Sequence, residues 1–402
     1  MEEHGPHIHL GVALDGAGWH PAAWREPTAR PGEVFDASYW IDLARTAERG
    51  VLDYVTIEDA FTLQSAHPFR PDDRTDQVRG RLDAALIAAR MAPATAHLGL
   101  VPTITTTHTE PFHVGVRVAS LDWVSRGRAG WRAQVQRQHD EVAQFGRRHL
   151  SDPAAAPPGP ERDAVVQVLF DEAADGIEVA RRLWDSWEDD AEIRDRPTGR
   201  FVDRDRLHPI DFEGRHFSVR GPSITPRSPQ GQPPVVVLAH ARPAFELAAG
   251  GADIVLVTPH GEDDVRSVVR QVRAAEAAVG RTGPPLLVHA DLLVLLEPDA
   301  DLAVAARAGL DDLDGQPLRS DAAVVTADPA GLVEVLLRWR SAGLDGFRLR
   351  PARLPADLDA IVDEVVPRLE ERGVRPTAYE GQTLRGRLGL ERPANRHAGA
   401  GA

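Results

Sequence analysis

Short apolar runs alternate along this chain with segments whose apolar residues recur every three to four positions. The first run, 7–14, reads as a strand. Segment 38–49 places Trp40, Leu43, Ala44 and Ala47 at the i, i+3, i+4, i+7 spacing of an amphipathic helix, with Gly50 just past its end. A strand at 52–57, a helix at 81–91 and a strand at 97–101 follow. Pro111 opens the next helix, 111–123, with an expected stripe through Phe112, Val116, Ala119 and Trp123. Residues 128–135 read as the next strand. The second half repeats the rhythm, with strands at 235–238, 254–257, 286–289 and 347–349 and helices at 245–249, 263–278, 330–342 and 357–372. About eight strands alternating with helices imply a parallel α/β architecture, and a closed (β/α)8 TIM barrel suits this count and length. An open doubly wound sheet has the same periodicity and remains the rival.

Two segments break the rhythm. Residues 151–162, "SDPAAAPPGPER", form a Pro-rich loop. Residues 189–234 are charged and rich in Pro and Gly, and read as a long insertion within one domain spanning 1–402. An insertion of that length serves as a lid, an oligomer contact or a mobile loop. The end, 391–402, is expected to fray.

Composition narrows the function classes. The 402 residues include 42% apolar ones, enough for a sizeable core, and carry a net charge of −15. That balance argues against nucleic acid or an anionic membrane as the main partner, while a local basic pocket stays possible. There is no cysteine, which excludes disulfides, thiolate catalysis and cysteine metal sites. No apolar run reaches the roughly 20 residues of a membrane helix, and the start, "MEEHGPHIHLGVALDG", lacks a signal-peptide apolar region. The expectation is a soluble cytoplasmic protein.

In a barrel, ligands meet the C-terminal ends of the strands. Glu58 and Asp59 follow the second strand and can orient a donor, or equally cap a helix. Threonines at 103 and 105–107 follow the third and offer hydroxyls to a polar ring edge, or simply suit a strand. After the fifth strand comes Ala239-His240-Ala241-Arg242, where a cation and free backbone N–H groups suit a phosphate. The eighth carries Arg348 and Arg350. Sixteen histidines show no metal-binding spacing, and His7 and His9 read as barrel-lining. "DGAGWH" at 15–20 is not a dinucleotide fingerprint, and no nucleophile elbow is present.

The stretch "VASLDWVSRGRAGWRAQVQ", 118–136, combines a helix end, a tight turn and a strand opening on glycines and a tryptophan. With "GAGWHPAAWREP", "IDLARTAERGVLDYVTIEDA", "RLWDSWEDDAEI", "GRHFSVRGPSITPRSPQGQPP" and "YEGQTLRGRLGLERPANR" it resembles the bacterial luciferase-like flavin monooxygenases over about residues 8–396. The resemblance is to the branch of nitrilotriacetate monooxygenase, pristinamycin synthase and dibenzothiophene-sulfone monooxygenase. It implies a barrel with a long insertion, a homo-oligomer, reduced FMN delivered by a separate flavin reductase, and O2 used on a small organic substrate. It also implies flavin contacts from Asp59 and Thr103, a pocket wall from Trp131, and a phosphate facing Arg242 with His240.

The chain departs from the family pattern at the contact positions. Arg132 stands where the family has asparagine after "GRAGW". Asp171, beside Phe170, stands near the place of a tyrosine. His240 and Arg242 stand for a glycine and a serine in the phosphate loop, and "GFRLRP" replaces "GFNLMPP". Two readings follow. In one, guanidinium groups bind the phosphate of a working flavin enzyme. In the other, the chain is a flavin-free homologue that binds another anion or partners an active paralogue. No catalytic base and no metal ligand is assigned.

Overall fold

The computed structural model describes residues 7–65, 71–136, 139–146 and 159–398. Most of the Pro-rich loop (151–158) and the last four residues of the expected tail lie outside them.

Eight parallel strands close into a barrel. They are β1 (His9–Leu14), β2 (Tyr54–Ile57), β3 (Gly99–Thr105), β4 (Trp131–Gln134), β5 (Val235–Leu238), β6 (Ile254–Val257), β7 (Leu287–Leu296) and β8 (Gly346–Pro351). Each pairs with its neighbours in sequence, β6 pairs with β7, and β8 returns to β1, so the ring has no break. Closure excludes the open-sheet rival. A further strand, Ala323–Ala327, extends the sheet along the second half of β7.

Helices cover the outside: α1 (Ala37–Arg49), α2 (Ala84–Met91), α3 (Pro111–Val124), α4 (His139–Phe145), α5 (Pro160–Asp185), α6 (Arg242–Gly251), α7 (Glu262–Val279), α8 (Ala300–Asp314) and α9 (Pro329–Ser341). Sequence periodicity omitted α4, α5, α8 and the Ala323–Ala327 strand. The helix expected over 357–372 is interrupted by a π-turn at Ile361–Val365. Pro367 lies at the start of the segment that follows, and its missing N–H disrupts the regular ladder there. The stripe expected on α3 is also displaced. Val114, Val118 and Leu121 face inward, while Trp123 is exposed.

Two small antiparallel hairpins stand in the insertion, Glu192–Asp195 with Arg200–Val202 and Phe212–Glu213 with Ser218–Val219. The segment expected to fray is pinned as far as residue 398. Asn395 Nδ2 donates to the Asp185 and Trp187 carbonyls, and Arg392 pairs with Asp189.

Strand alternation decides what fills the barrel. At its N-terminal end His9, Tyr54 and His289 stack, with the Tyr54 hydroxyl bonded to His289 Nδ1 at 2.9 Å. Leu384, on a short C-terminal helix, packs with Tyr54 and Val101 to seal this end. Toward the C-terminal end the inward positions turn polar, at Thr56, Glu58, Thr103, Arg132, Asp291, Arg348 and Arg350.

Candidate active site

The turn into β4 explains the opening motif. Gly127 has φ +86°, and a Cβ there would meet Thr383 Cγ2 at 2.8 Å. Arg128 is buried and closes the turn by donating to the carbonyls of Ser125, Leu98, Ala92 and Thr95. Asp122 receives Ala129 N–H and the Gln230 side chain. Up to Gly130 the motif therefore builds the turn. Chemistry starts with the next two residues, which face opposite sides of the strand. Trp131 is buried in the main core with its indole N–H on the Ile104 carbonyl, 3.0 Å away. Arg132 points into the barrel.

Arg132 Nη1 donates to Glu58 Oε2 and to Thr103 Oγ1, each at 2.9 Å. Glu58 Oε1 accepts from Arg348 at 3.0 Å. Arg348 also forks onto both oxygens of Asp291, whose Oδ2 accepts from Arg350 as well, and Arg350 reaches Asp321. Burial alone would raise the Glu58 carboxyl, but the charges of Arg132 and Arg348 outweigh it and hold the group below its ordinary range. Asp291 is likewise depressed, because two guanidinium groups outweigh its complete burial. These carboxylates stay ionised at neutral pH, and the network is a fixed set of alternating charges.

A cavity of about 640 Å³ opens beside this network, between the C-terminal ends of β4 and β5 and helices α5 and α6. Arg132, Gln134, Leu238, His240 and Ala241 line it from the strand side, Val166 and Phe170 from α5, and Ala244 and Leu247 from α6. Arg162 and Arg242 stand on its lining, and among the described residues Asp163 is the one acid there. The first turn of α6 receives no side-chain cap.

The positions read from sequence do not all meet at the cavity. Arg132, His240 and Arg242 share this cavity, with Thr103 behind Arg132. His240 Nδ1 lies 2.8 Å from Thr258 Oγ1, and its Nε2 lies 3.5 Å from Asp321. The Arg242 side chain is 87% exposed and paired with Glu246, so its guanidinium turns outward from the helix start. Asp59 is engaged elsewhere. Its carboxylate accepts the Ala60 and Ala84 N–H groups and braces the start of α2, and burial raises its pKa. Trp131 does not line the cavity, because strand alternation gives the inward place to Arg132. Asp171 is bonded to Gln167 on an exposed part of α5, and Phe170 takes the cavity side. Sequence reasoning missed Asp291, Asp321 and Glu141. A lone aspartate two residues after a histidine in the apolar run "LLVHADLLVLL" was the available signal for Asp291.

A closed parallel barrel with an arginine-bearing cavity at the C-terminal ends of its strands has the place and the charge to hold a phosphate-bearing or otherwise anionic small ligand. The family model described as "Luciferase-like monooxygenase" matches residues 17–327, and the chain belongs to that family. N-acetyl-S-(2-succino)cysteine monooxygenase of Bacillus subtilis is 29% identical to it, over 97% of this chain and 98% of that one. Nitrilotriacetate monooxygenase component A of Aminobacter aminovorans is 30% identical, over 96% and 97%. Among solved structures, riboflavin lyase with modified FMN and riboflavin superposes with a TM-score of 0.83 at 25% identity, covering 97% of this chain and 98% of that one. The chain is a flavin-dependent monooxygenase. Among the described residues no helix is long and apolar enough to cross a membrane, and no group of three or more His, Asp or Glu is placed to hold a metal.

Proposed function

We propose that this chain is the oxygenating component of a two-component system, taking reduced FMN from a separate flavin reductase and using it with O2 on a small organic molecule. The observation that carries this reading is the cavity. Its volume falls in the range of about 300–1,000 Å³ typical of cofactor sites. Its walls are apolar, one end meets an uncapped helix start with arginines nearby, and the other meets a buried guanidinium with an unfilled edge. These features fit a flat ring carrying a phosphate tail.

In this proposal the start of α6, with Arg162, receives the phosphate through the Arg242 N–H and charge, since Pro243 has no N–H and the Ala244 N–H is bonded to the Ala241 carbonyl. Arg242 supports it from the solvent side, and His240 flanks it. Val237 and Leu238 give the ring an apolar bed, and Arg132, set by Glu58 and Thr103, meets its polar edge. Asp59 acts indirectly by holding the loop after β2, and Trp131 by fixing β4 from behind. The bound flavin supplies the oxygen activation. The protein supplies orientation, water exclusion and a fixed electrostatic frame. The insertion at 189–234 is a candidate for substrate selection or subunit contact, and a homo-oligomer is the expected assembly.

Titration with FMN and with riboflavin, which lacks the phosphate, tests this directly. FMN is expected to bind at least about tenfold more tightly, a difference of about 1.4 kcal/mol. Equal affinities would remove the phosphate site from the account.

A further inference from the structure

Arg348 and Arg350 are saturated inside the barrel. Arg348 spends Nε and Nη2 on Asp291, and Nη1 on Thr56 and Glu58. Arg350 spends Nε and Nη2 on Asp291, and Nη1 on Asp321. Arg132 differs. Among the described residues all its hydrogen bonds leave from Nη1. Its Nε is buried without an acceptor, and among the described residues no acceptor is found for Nη2. Its charge is answered by Glu58, which it shares with Arg348, and at longer range by Asp291. This guanidinium is 5% exposed, and it lines the cavity.

We propose that the free Nε–Nη2 edge of Arg132 reads the oxidation state of the flavin, donating to the N1–C2 carbonyl edge of the ring and holding the reduced anion more tightly than the oxidised form. The inference rests on the reading of the cavity as the flavin site. Oxidised flavin is neutral at that edge, whereas two-electron reduction leaves a negative charge at neutral pH over N1 and the C2 oxygen. A guanidinium edge presents two parallel N–H groups to two adjacent acceptors, and bonds to an ionised acceptor are the stronger ones. Anchoring of Nη1 by Glu58 and Thr103 fixes the fork before the ligand arrives, so little freedom is lost on binding. A cation on that edge is one of the means by which a protein tunes a flavin. Arg132 is thus a positioning and tuning residue. It gives the chain a way to capture reduced flavin released by a reductase and to let the oxidised form go.

The test is the ratio of dissociation constants for oxidised and reduced FMN, measured anaerobically, together with the midpoint potential of the bound flavin. The wild-type chain is expected to bind reduced FMN at least about tenfold more tightly, which raises the two-electron potential by about 30 mV over free FMN. Arg132→Gln is expected to lose most of that ratio while still binding oxidised FMN within about threefold of wild type. Arg132→Lys, which keeps the charge and loses the fork, should fall between. A wild-type chain that binds both forms equally overturns the proposal without any variant, so a misfolded Arg132→Gln does not leave it open. An unchanged ratio in a folded Arg132→Gln also overturns it, and would give the free edge to a substrate carboxylate. A wild-type chain that binds neither form defeats the cavity assignment itself.

Discussion

Glu141 on α4 is fully buried beside the loop that follows β2. Desolvation pushes its carboxyl up to about 7, against the Phe61 backbone and the Thr62 hydroxyl, neither of which reaches hydrogen-bond geometry with it. The folded state therefore binds a proton more tightly than the unfolded chain, whose value is near 4.5. Stability tied to this group is full below about pH 4.5 and is lost as pH rises through 7. Glu141→Gln, which cannot ionise, should be more stable than wild type by about 1–2 kcal/mol at pH 8 and nearly equal to it at pH 5. Thermal melts of both proteins across that range check this, and a difference that does not vary with pH contradicts it. At this scale the sequence was legible where a charged residue sat in a strand-end motif, as with Arg132, His240 and Arg348. It was opaque for Asp291, because the strand 286–289 read from the apolar run ended too early and left Asp291 without a face. Proximity of β7 to β8, on which the Arg348–Asp291 pair depends, is a property of the closed ring and not of either segment.

Elements whose apolar face is narrow were readable, and those that are apolar or polar all round were not. Segment 38–49 matched α1 within one residue, because its buried set recurs at helical spacing with polar residues between. In α3 the apolar residues surround the axis, so the stripe could not be placed. The 26 residues of α5 begin at Pro160, inside the segment 151–162 read as a Pro-rich loop, and carry many acids, which hid a regular inward series at Leu169, Ala173, Ile177, Ala180 and Trp184. That omission matters, since α5 supplies Val166 and Phe170 to the cavity. The start of α6 was read as a phosphate site on account of Arg242, yet the structure turns that side chain to solvent. Arg242→Ser should therefore weaken FMN binding by no more than about threefold, as expected of an exposed, paired charge. A loss of a hundredfold or more by isothermal titration would show that the arginine turns inward to grip the phosphate.

Over the whole molecule, alternation of strand and helix foretold a parallel barrel, and ring closure through β6–β7 and β8–β1 established it. One end is packed shut around Tyr54, His289 and Leu384, and the other gathers the charge network, the cavity and the start of α6. The account's central claim is that this C-terminal cavity is the flavin site. Anaerobic equilibrium dialysis of reduced FMN tests it most directly, with the wild-type chain beside Val166→Trp, whose larger side chain would fill the cavity from the half-buried face of α5. The account predicts one saturable flavin per wild-type chain, and binding weakened by about a hundredfold or more in a variant that melts within a few degrees of wild type. Wild-type binding that Val166→Trp leaves intact, or no saturable binding to the wild-type chain, would contradict it.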